Sequence, residues 1–508
     1  MEQYTDRPWL TFDSPDDYLR ARELLSVSGY SVAGVQERIG LRSMVLPNSE
    51  AFLVRKTSKG DALDILLRLF LAGVPVSLSQ ARAALSPMEP KKWVDAGLIS
   101  IDNDTVEARV KLLPSADWVV AFDRHRRGTP HSQDMVLGVG HATLSLINLS
   151  VRRPVRQTLD IGTGCGIQAF FASTHSERVL ATDRNPRAIR FADFNTRLNG
   201  IANVDCREGD RFEPVRGMTF GFITCNAPFV ISPSSGYVSL DGGMEGDRFC
   251  ASIAQVMPDY LEEGGLCQML CNWAHLAGQN WQKRLSEWFP ARGCDVWVIR
   301  TKVDEAMNYA RLWIQEIYGE DSDQFDQRYH EWMDFYERAG IEAMSMGLIN
   351  IRRTGDRATH VRIDDAPEIV EASGADIWRR IEAREFLYLS QDDRSFLDAR
   401  LQTSPELRLE HQYQRSDQEW RIAASKLFLA KGFAYSVAPD PILAEFLVRC
   451  DGATTVRRAL EAAGEALNVS ISEALPECLK VIRRCVDLGF LEPIETDSRK
   501  SAWIAGSQ

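Results

Sequence analysis

A chain of 508 residues is too long for a single compact core, so two or three domains are expected. Its 44% apolar and 26% charged content is that of a globular protein. No apolar run approaches the roughly 20 residues needed to cross a bilayer. The polar start, Met1 to Pro8, has no signal-peptide pattern, so cytoplasm is the expected location with no membrane partner. A net charge of -12 repels phosphate backbones and argues against a long nucleic-acid footprint.

The first section reads as helical. Ser14 is placed to cap a helix carrying Tyr18, Leu19, Leu24 and Leu25. A strongly apolar run, Ala62 to Leu71, is broken at Pro75. Two short helices are expected over Ser79 to Leu85 and Glu89 to Ala96, with Gly97 ending the second. Leu98 to Ile101 and Val106 to Leu113 then predict a hairpin through Asp102-Asn103-Asp104. Helices followed by a hairpin is a winged-helix order, and the acidic balance favours a packing module over a DNA reader. Arg124-His125-Arg126-Arg127 is the best candidate for a local basic patch, with a solvated loop as the alternative.

From about residue 158 the rhythm changes. Short β-rich runs alternate with helical stretches: Thr158 to Ile161, Arg178 to Asp183, Val204 to Cys206, Phe220 to Cys225, Leu266 to Leu270, Val296 to Arg300 and Leu348 to Ile351. That alternation predicts a mostly parallel sheet with helices on both faces. The last two strands are expected to form an antiparallel, hairpin-like edge. Between them lies a helical insertion, about Glu305 to Met344, rich in Tyr309, Trp313, Tyr318, Tyr329, Trp332, Phe335 and Tyr336. From about Ala375 the pattern is helical again, and Gly489-Phe490-Leu491 resembles Gly97-Leu98-Ile99, which suggests a second small helical or winged-helix domain. The tail after Glu495 reads as disordered. The boundaries expected on this reading are 1–115, 116–355 and 375–495.

The 10 cysteines run from Cys165 to Cys485 with no CxxC spacing. Cys267, Cys271 and His275 come nearest to a cluster but fall on a predicted strand, so they do not share a helix face. Buried free thiols and no metal site are the expectation.

The chemistry concentrates at Asp160-Ile161-Gly162-Thr163-Gly164-Cys165-Gly166, where a strand ends, a glycine turn follows and a helix begins. Glycines let backbone approach a ligand where a Cβ would clash. Such a turn also occurs in dinucleotide sites. Asp183, at the tip of the next strand, is placed to accept both hydroxyls of a ribose. An acid at Asp160 would repel a pyrophosphate but suits the ammonium of a methionine moiety. Asp210, in Glu208-Gly209-Asp210 after the third strand, stands where an acid side chain holds adenine; a solvated Asp210 is the alternative.

The fourth strand ends in Asn226-Ala227-Pro228-Phe229. Here the sequence resembles class I methyltransferases with an Asn-Pro-Pro-Tyr/Phe motif, among them release-factor glutamine, ribosomal RNA guanine-N2 and adenine-N6 methyltransferases. Ala227 departs from that motif, in which a proline stands. The resemblance implies a Rossmann-like, α/β, seven-stranded class I methyltransferase sheet flanked by two smaller helical, winged-helix-like domains. It implies S-adenosyl-L-methionine as cofactor, held by Asp160, Gly162, Gly164, Gly166, Asp183, Asp210 and Asn226. It implies catalysis through Asn226, Pro228 and Phe229: the amide accepts from the target N–H₂, the ring packs on the flat group, and the nitrogen lone pair is aimed at the sulfonium methyl. Val136 to Leu144, Phe229 to Pro233, Asp241-Gly242-Gly243 and Gly246-Asp247 resemble long bacterial methyltransferases with extra terminal helical domains. His141 stands where a small residue is expected.

The loop Ser232 to Asp247 is the candidate lid or acceptor-recognition loop, with Tyr237 and Asp241 as substrate contacts; a solvated loop is the alternative. Three functions follow in order. The first is N-methylation of a planar nitrogen in a small metabolite or protein side chain. The second is methylation of an RNA base amine. The third is a cofactor-sensing, DNA-binding regulator.

Overall fold

The computed structural model describes residues 9–40, 50–124, 134–233, 240, 242–318, 325–371, 373–416 and 419–494. The chain divides into two compact units, 1–147 with 153–364, and 148–152 with 365–508.

In the first unit, Ser14 accepts a hydrogen bond from the Asp17 N–H and opens a helix over Pro15–Val27. The apolar run is a helix over Ala62–Leu66 that widens into a π-helical turn, Leu67–Ala72, and stops at Gly73 with φ of 72°. Helices over Leu78–Ala84 and Pro90–Asp95 follow, the former opened by a Ser77/Gln80 capping box. Gly97, at φ of 76°, turns the chain into a hairpin of Ile99–Asp102 with Thr105–Ala108, whose second strand also pairs with Val76–Ser77. The single strand expected over Val106 to Leu113 is two. The chain switches partner after Ala108, and Val110–Ser115 pairs with Trp118–Asp123.

The expected division at residue 115 does not separate two cores. Trp9 stacks edge-on to Phe191 at 5.3 Å, and Phe12 and Tyr18 meet Phe194 at 5.7 and 5.5 Å. Trp93, Phe191 and Phe194 are buried in one continuous apolar cluster running from Leu10 to Leu198. The first helix, Pro15–Val27, packs against the Pro186–Asn199 helix, and the remaining N-terminal helices pack on one another within the same cluster.

The central sheet has strands β1 (Val155–Ile161), β2 (Ser176–Asp183), β3 (Val204–Glu208), β4 (Phe220–Asn226), β5 (Leu261–Leu276), β6 (Arg292–Glu305), β7 (Ile341–Ala358) and β8 (His360–Asp365). Their order is β8-β6-β7-β5-β4-β1-β2-β3. Pairings from β3 through β5 are parallel, while β7 runs antiparallel to both β5 and β6. All seven expected strands are present. The sheet has eight, however, because β8 adds outside β6, so the antiparallel β6/β7 pair is not the edge. Helices α1 (His141–Leu149), α2 (Ile167–Ser173), α3 (Pro186–Asn199), α4 (Arg248–Val256) and α5 (Trp281–Ser286) connect or cover it, and the insertion between β6 and β7 is α6 (Ala306–Tyr318) and α7 (Phe325–Ala339). Helix α3 shows why local sequence suffices at its ends: Asn185 caps it, Pro186 begins it and Gly200 ends it in the left-handed region.

The second unit has a helix over Gly374–Leu389 and helices over Pro441–Arg449, Val456–Leu467 and Ile471–Asp487. The helical pattern expected from about Ala375 is interrupted by strands. A long hairpin joins Leu407–Ser416 to Glu419–Leu429, and Arg400–Thr403 is the middle strand between Asp451–Thr455 and Leu491–Pro493. Leu407, Leu409, His411, Tyr413 and Arg415 share one hairpin face by alternation, and the polar tip of that pattern hides its strand character. The tail after Glu495 lies outside the described residues.

Candidate active site

Parallel strands deliver their carboxyl ends to one edge of the sheet, and ligands bind there in open α/β folds. β1 ends at Ile161, and the turn that follows needs three left-handed residues: Gly162, Gly164 and Gly166 have φ of 70°, 54° and 91°. A side chain on Gly162 or Gly164 would meet nothing within 4 Å, so these two face open space, while one on Gly166 would press on Phe170. The first two glycines therefore leave backbone bare toward a ligand, and the third permits helix α2 to pack closely.

Asp160 lies beneath this turn, 1% exposed, and accepts a 2.7 Å hydrogen bond from the Thr163 hydroxyl. Burial raises its pKa to about 7, against the opposing effect of that hydrogen bond and with a smaller push from the nearby Asp183. Asp183 ends β2. Its two carboxylate oxygens accept from the Gly164 and Asn185 backbone N–H groups, each at 2.9 Å, which fixes the carboxylate plane beside the glycine turn. Burial raises its pKa as well. Asp210 follows β3, and its carboxylate pairs with the adjacent Arg211 at 3.1 Å. These groups fit S-adenosylmethionine: a bare backbone turn, a fixed carboxylate at the second strand tip and an acid after the third.

Asn226 is the last residue of β4. Its Nδ2 donates to the Thr143 hydroxyl of α1 at 3.4 Å, while its Oδ1 is buried without a partner among the described residues. A buried acceptor left unpaired costs about 1–3 kcal/mol, so this atom is placed to take a hydrogen from a bound group. Phe229 packs edge-on to Trp313 of α6 at 6.1 Å and joins the clusters on both sides of the sheet end. Pro228 is half-buried between them in sequence.

Tyr237 and Asp241 lie outside the described residues, as do His125, Arg126 and Arg127. Arg124 is half-buried and donates to the Ala108 carbonyl, so it is no free patch residue. Both flanks of the loop 232–247 are packed rather than solvated. Ser232 is buried, the Val230 N–H donates to the Leu240 carbonyl at 2.7 Å, and the buried Asp247 accepts from the Ala274 N–H and from Arg284. His141 is exposed at the start of α1.

Several positioning residues escape sequence reasoning. Gln168 of α2 donates to the Thr143 carbonyl, tying α1 to the glycine turn. Asn195 and Asn199, four apart on α3, each make paired backbone hydrogen bonds, to Ala121 and Val119 respectively, in the manner of a neighbouring strand. Asn195 also donates to the Cys165 carbonyl at 2.9 Å and so holds the glycine turn itself. Two asparagines at helical spacing on an otherwise buried face was the available signal.

No helix among the described residues is long and apolar enough to cross a membrane. Residues 138–240 match the family model described as Methyltransferase small domain, and residues 27–109 match one described as a Domain of unknown function (DUF7059). A release factor glutamine methyltransferase of Aquifex aeolicus is 36% identical over 171 residues, covering 30% of this chain and 52% of the relative. A protein N5-glutamine methyltransferase of Methanocaldococcus jannaschii is 30% identical over 122 residues, covering 23% and 61%. A ribosomal protein L11 methyltransferase of Rhodopseudomonas palustris is 29% identical over 152 residues, covering 27% and 48%. The chain thus spans about half to three fifths of the length of these relatives. Taken with the strand order and the glycine turn, the matches mean that this chain carries a class I methyltransferase domain whose methyl donor is S-adenosylmethionine.

Proposed function

We propose that the protein methylates a planar nitrogen, and that the acceptor is the carboxamide of a protein side chain. The observation that carries this is the buried, unpartnered Oδ1 of Asn226 at the carboxyl end of β4. An amide oxygen there accepts one N–H of an acceptor –NH₂ and orients its lone pair, and the flat ring of Phe229 gives the planar group a surface. Two of the matched relatives are named for glutamine, and the third for a ribosomal protein.

In this reading the glycine turn and Asp183 hold the donor, with Asp210 beside the adenine. S-adenosylmethionine supplies a methyl group on a sulfonium sulfur, and transfer leaves S-adenosylhomocysteine. Asn226 fixes the nitrogen in line with that methyl. As the new N–C bond forms, the nitrogen sheds a proton to water. Pro228 stiffens the turn that brings Phe229 against the acceptor, and Tyr237 and Asp241 are the proposed further contacts. The helix–strand–helix–helix–hairpin order of residues 62–108 supports a winged-helix module used for packing.

A second reading, methylation of an RNA base amine, is favoured by one feature. On the 407–429 hairpin, Trp420 and Tyr413 are 69% and 57% exposed and flank Arg415 on one face, a set suited to base stacking. Incubating the enzyme and methyl-labelled S-adenosylmethionine with separated protein, RNA and small-molecule fractions from cells lacking the enzyme tests both. Label is expected in protein and recovered as methylamine after acid hydrolysis, as an N-methyl carboxamide requires. Label confined to RNA or to small molecules overturns the proposal.

A further inference from the structure

The α6–α7 insertion does more than cover the sheet edge. It grips the segment that follows the Asn226-Ala-Pro-Phe turn at both its backbone groups: the Tyr309 hydroxyl accepts from the Ile231 N–H at 3.1 Å, and the Tyr336 hydroxyl donates to the Ile231 carbonyl at 2.8 Å. Both tyrosines are buried. The same Tyr309 hydroxyl engages Asn272 of β5, whose Nδ2 donates to it at 2.7 Å. Asn272 is 2% exposed, and its Oδ1 has no partner among the described residues.

Position in the sheet gives this orphan atom its meaning. Leu270 of β5 is the residue paired with Asn226 of β4, and Asn272 lies two residues further toward the carboxyl end, roughly 7 Å along the strand. Ser232, next to the gripped Ile231, also has a buried hydroxyl without a partner among the described residues. Among the described residues, the unpartnered polar groups of Asn226, Asn272 and Ser232 therefore belong to the same end of β4 and β5, where the acceptor is expected. An apolar acceptor would leave them all unpaired. A group carrying two N–H donors satisfies the two amide oxygens.

We infer that Asn272 is a second acceptor-binding residue, presenting its Oδ1 to a further N–H of the acceptor, and that Tyr309 is the positioning residue that holds Asn272 and Ile231 in register. This rests on the reading of the site as an N-methyltransferase for a protein carboxamide and adds the requirement for a second hydrogen-bond donor on the acceptor. Secondary carboxamides, with one N–H, would satisfy Asn226 alone, which also gives the site a means of stopping after one methylation.

The test uses the full chain, methyl-labelled S-adenosylmethionine and the protein fraction of cells lacking the enzyme, titrated to obtain half-saturation and maximal rate. S-adenosylhomocysteine binding and melting are followed in parallel. Asn272→Ala is expected to raise the half-saturating concentration about tenfold while cofactor affinity stays within about twofold. Asn272→Asp keeps an oxygen at the position and is expected to recover most of that loss. Tyr309→Phe is expected to move acceptor half-saturation in the same direction, and it remains informative where the Asn272 variants melt early. Transfer to protein by the wild type, with half-saturation unchanged in Asn272→Ala and Tyr309→Phe, overturns the inference and leaves the carboxamide reading standing. Equal loss in Asn272→Ala and Asn272→Asp also overturns it, since the oxygen is then unused. No transfer to protein by the wild type overturns the carboxamide reading and the inference with it.

Discussion

Asp160→Asn should stabilise the cofactor-free protein at pH 8 and leave it nearly unchanged at pH 5. Asp160 is 1% exposed, and its carboxyl is pushed up to about 7 from 3.8 chiefly by burial. A raised carboxyl pKa means the fold prefers the protonated form. That preference contributes stability that is complete below about pH 4 and is lost as pH rises through about 7. The displacement is about three powers of ten in proton affinity, on the order of 4 kcal/mol at most when the group is fully ionised. Asparagine keeps an oxygen for the Thr163 hydroxyl but never ionises, so it escapes that cost. Its new N–H₂ sits in a buried place and costs about 1–3 kcal/mol if unpaired. The expected net gain is about 1–3 kcal/mol at pH 8. Calorimetric melting at both pH values, following the transition that S-adenosylhomocysteine shifts, measures it. A variant no more stable than wild type at pH 8 refutes the reasoning and places the ionised carboxylate in a site that solvates it.

Asp183→Ala is expected to weaken S-adenosylhomocysteine binding by tenfold or more in a folded protein, because two charge-assisted hydrogen bonds to ribose are lost; an unchanged dissociation constant by titration calorimetry contradicts the placement of ribose. Asn226→Ala is expected to spare cofactor binding and reduce methyl transfer roughly a hundredfold, since it removes orientation rather than affinity; near-normal turnover reopens oxygen or carbon as the methylated atom. Asn195→Ala is expected to cost about 2–4 kcal/mol of stability and to loosen cofactor binding, because it frees Cys165 in the glycine turn and leaves the Ala121 backbone unpaired; amide exchange at Ala121 no faster than in wild type would show that the strand does not depend on it.

The proposed donor half of the site is legible in sequence because its determinants are local. Three glycines within five residues are required by backbone geometry alone, and Asp160 and Asp183 sit at the tips of strands whose apolar cores announce them. The helix start at Ser14 was equally local, fixed by a cap within one turn. What the sequence did not determine depends on pairings between distant segments. The eighth strand, the shared core of Trp9, Phe12 and Phe194, and the hairpin at 407–429 arise because each unburied apolar face or open strand edge takes whichever partner the fold brings near. The proposed acceptor half belongs to this second class. Ile231, Asn272, Tyr309 and Tyr336 are joined by hydrogen bonds between residues 37 to 105 apart, and only the tertiary structure brings them together, because a hydroxyl that far from its partner leaves no periodic signal in the chain.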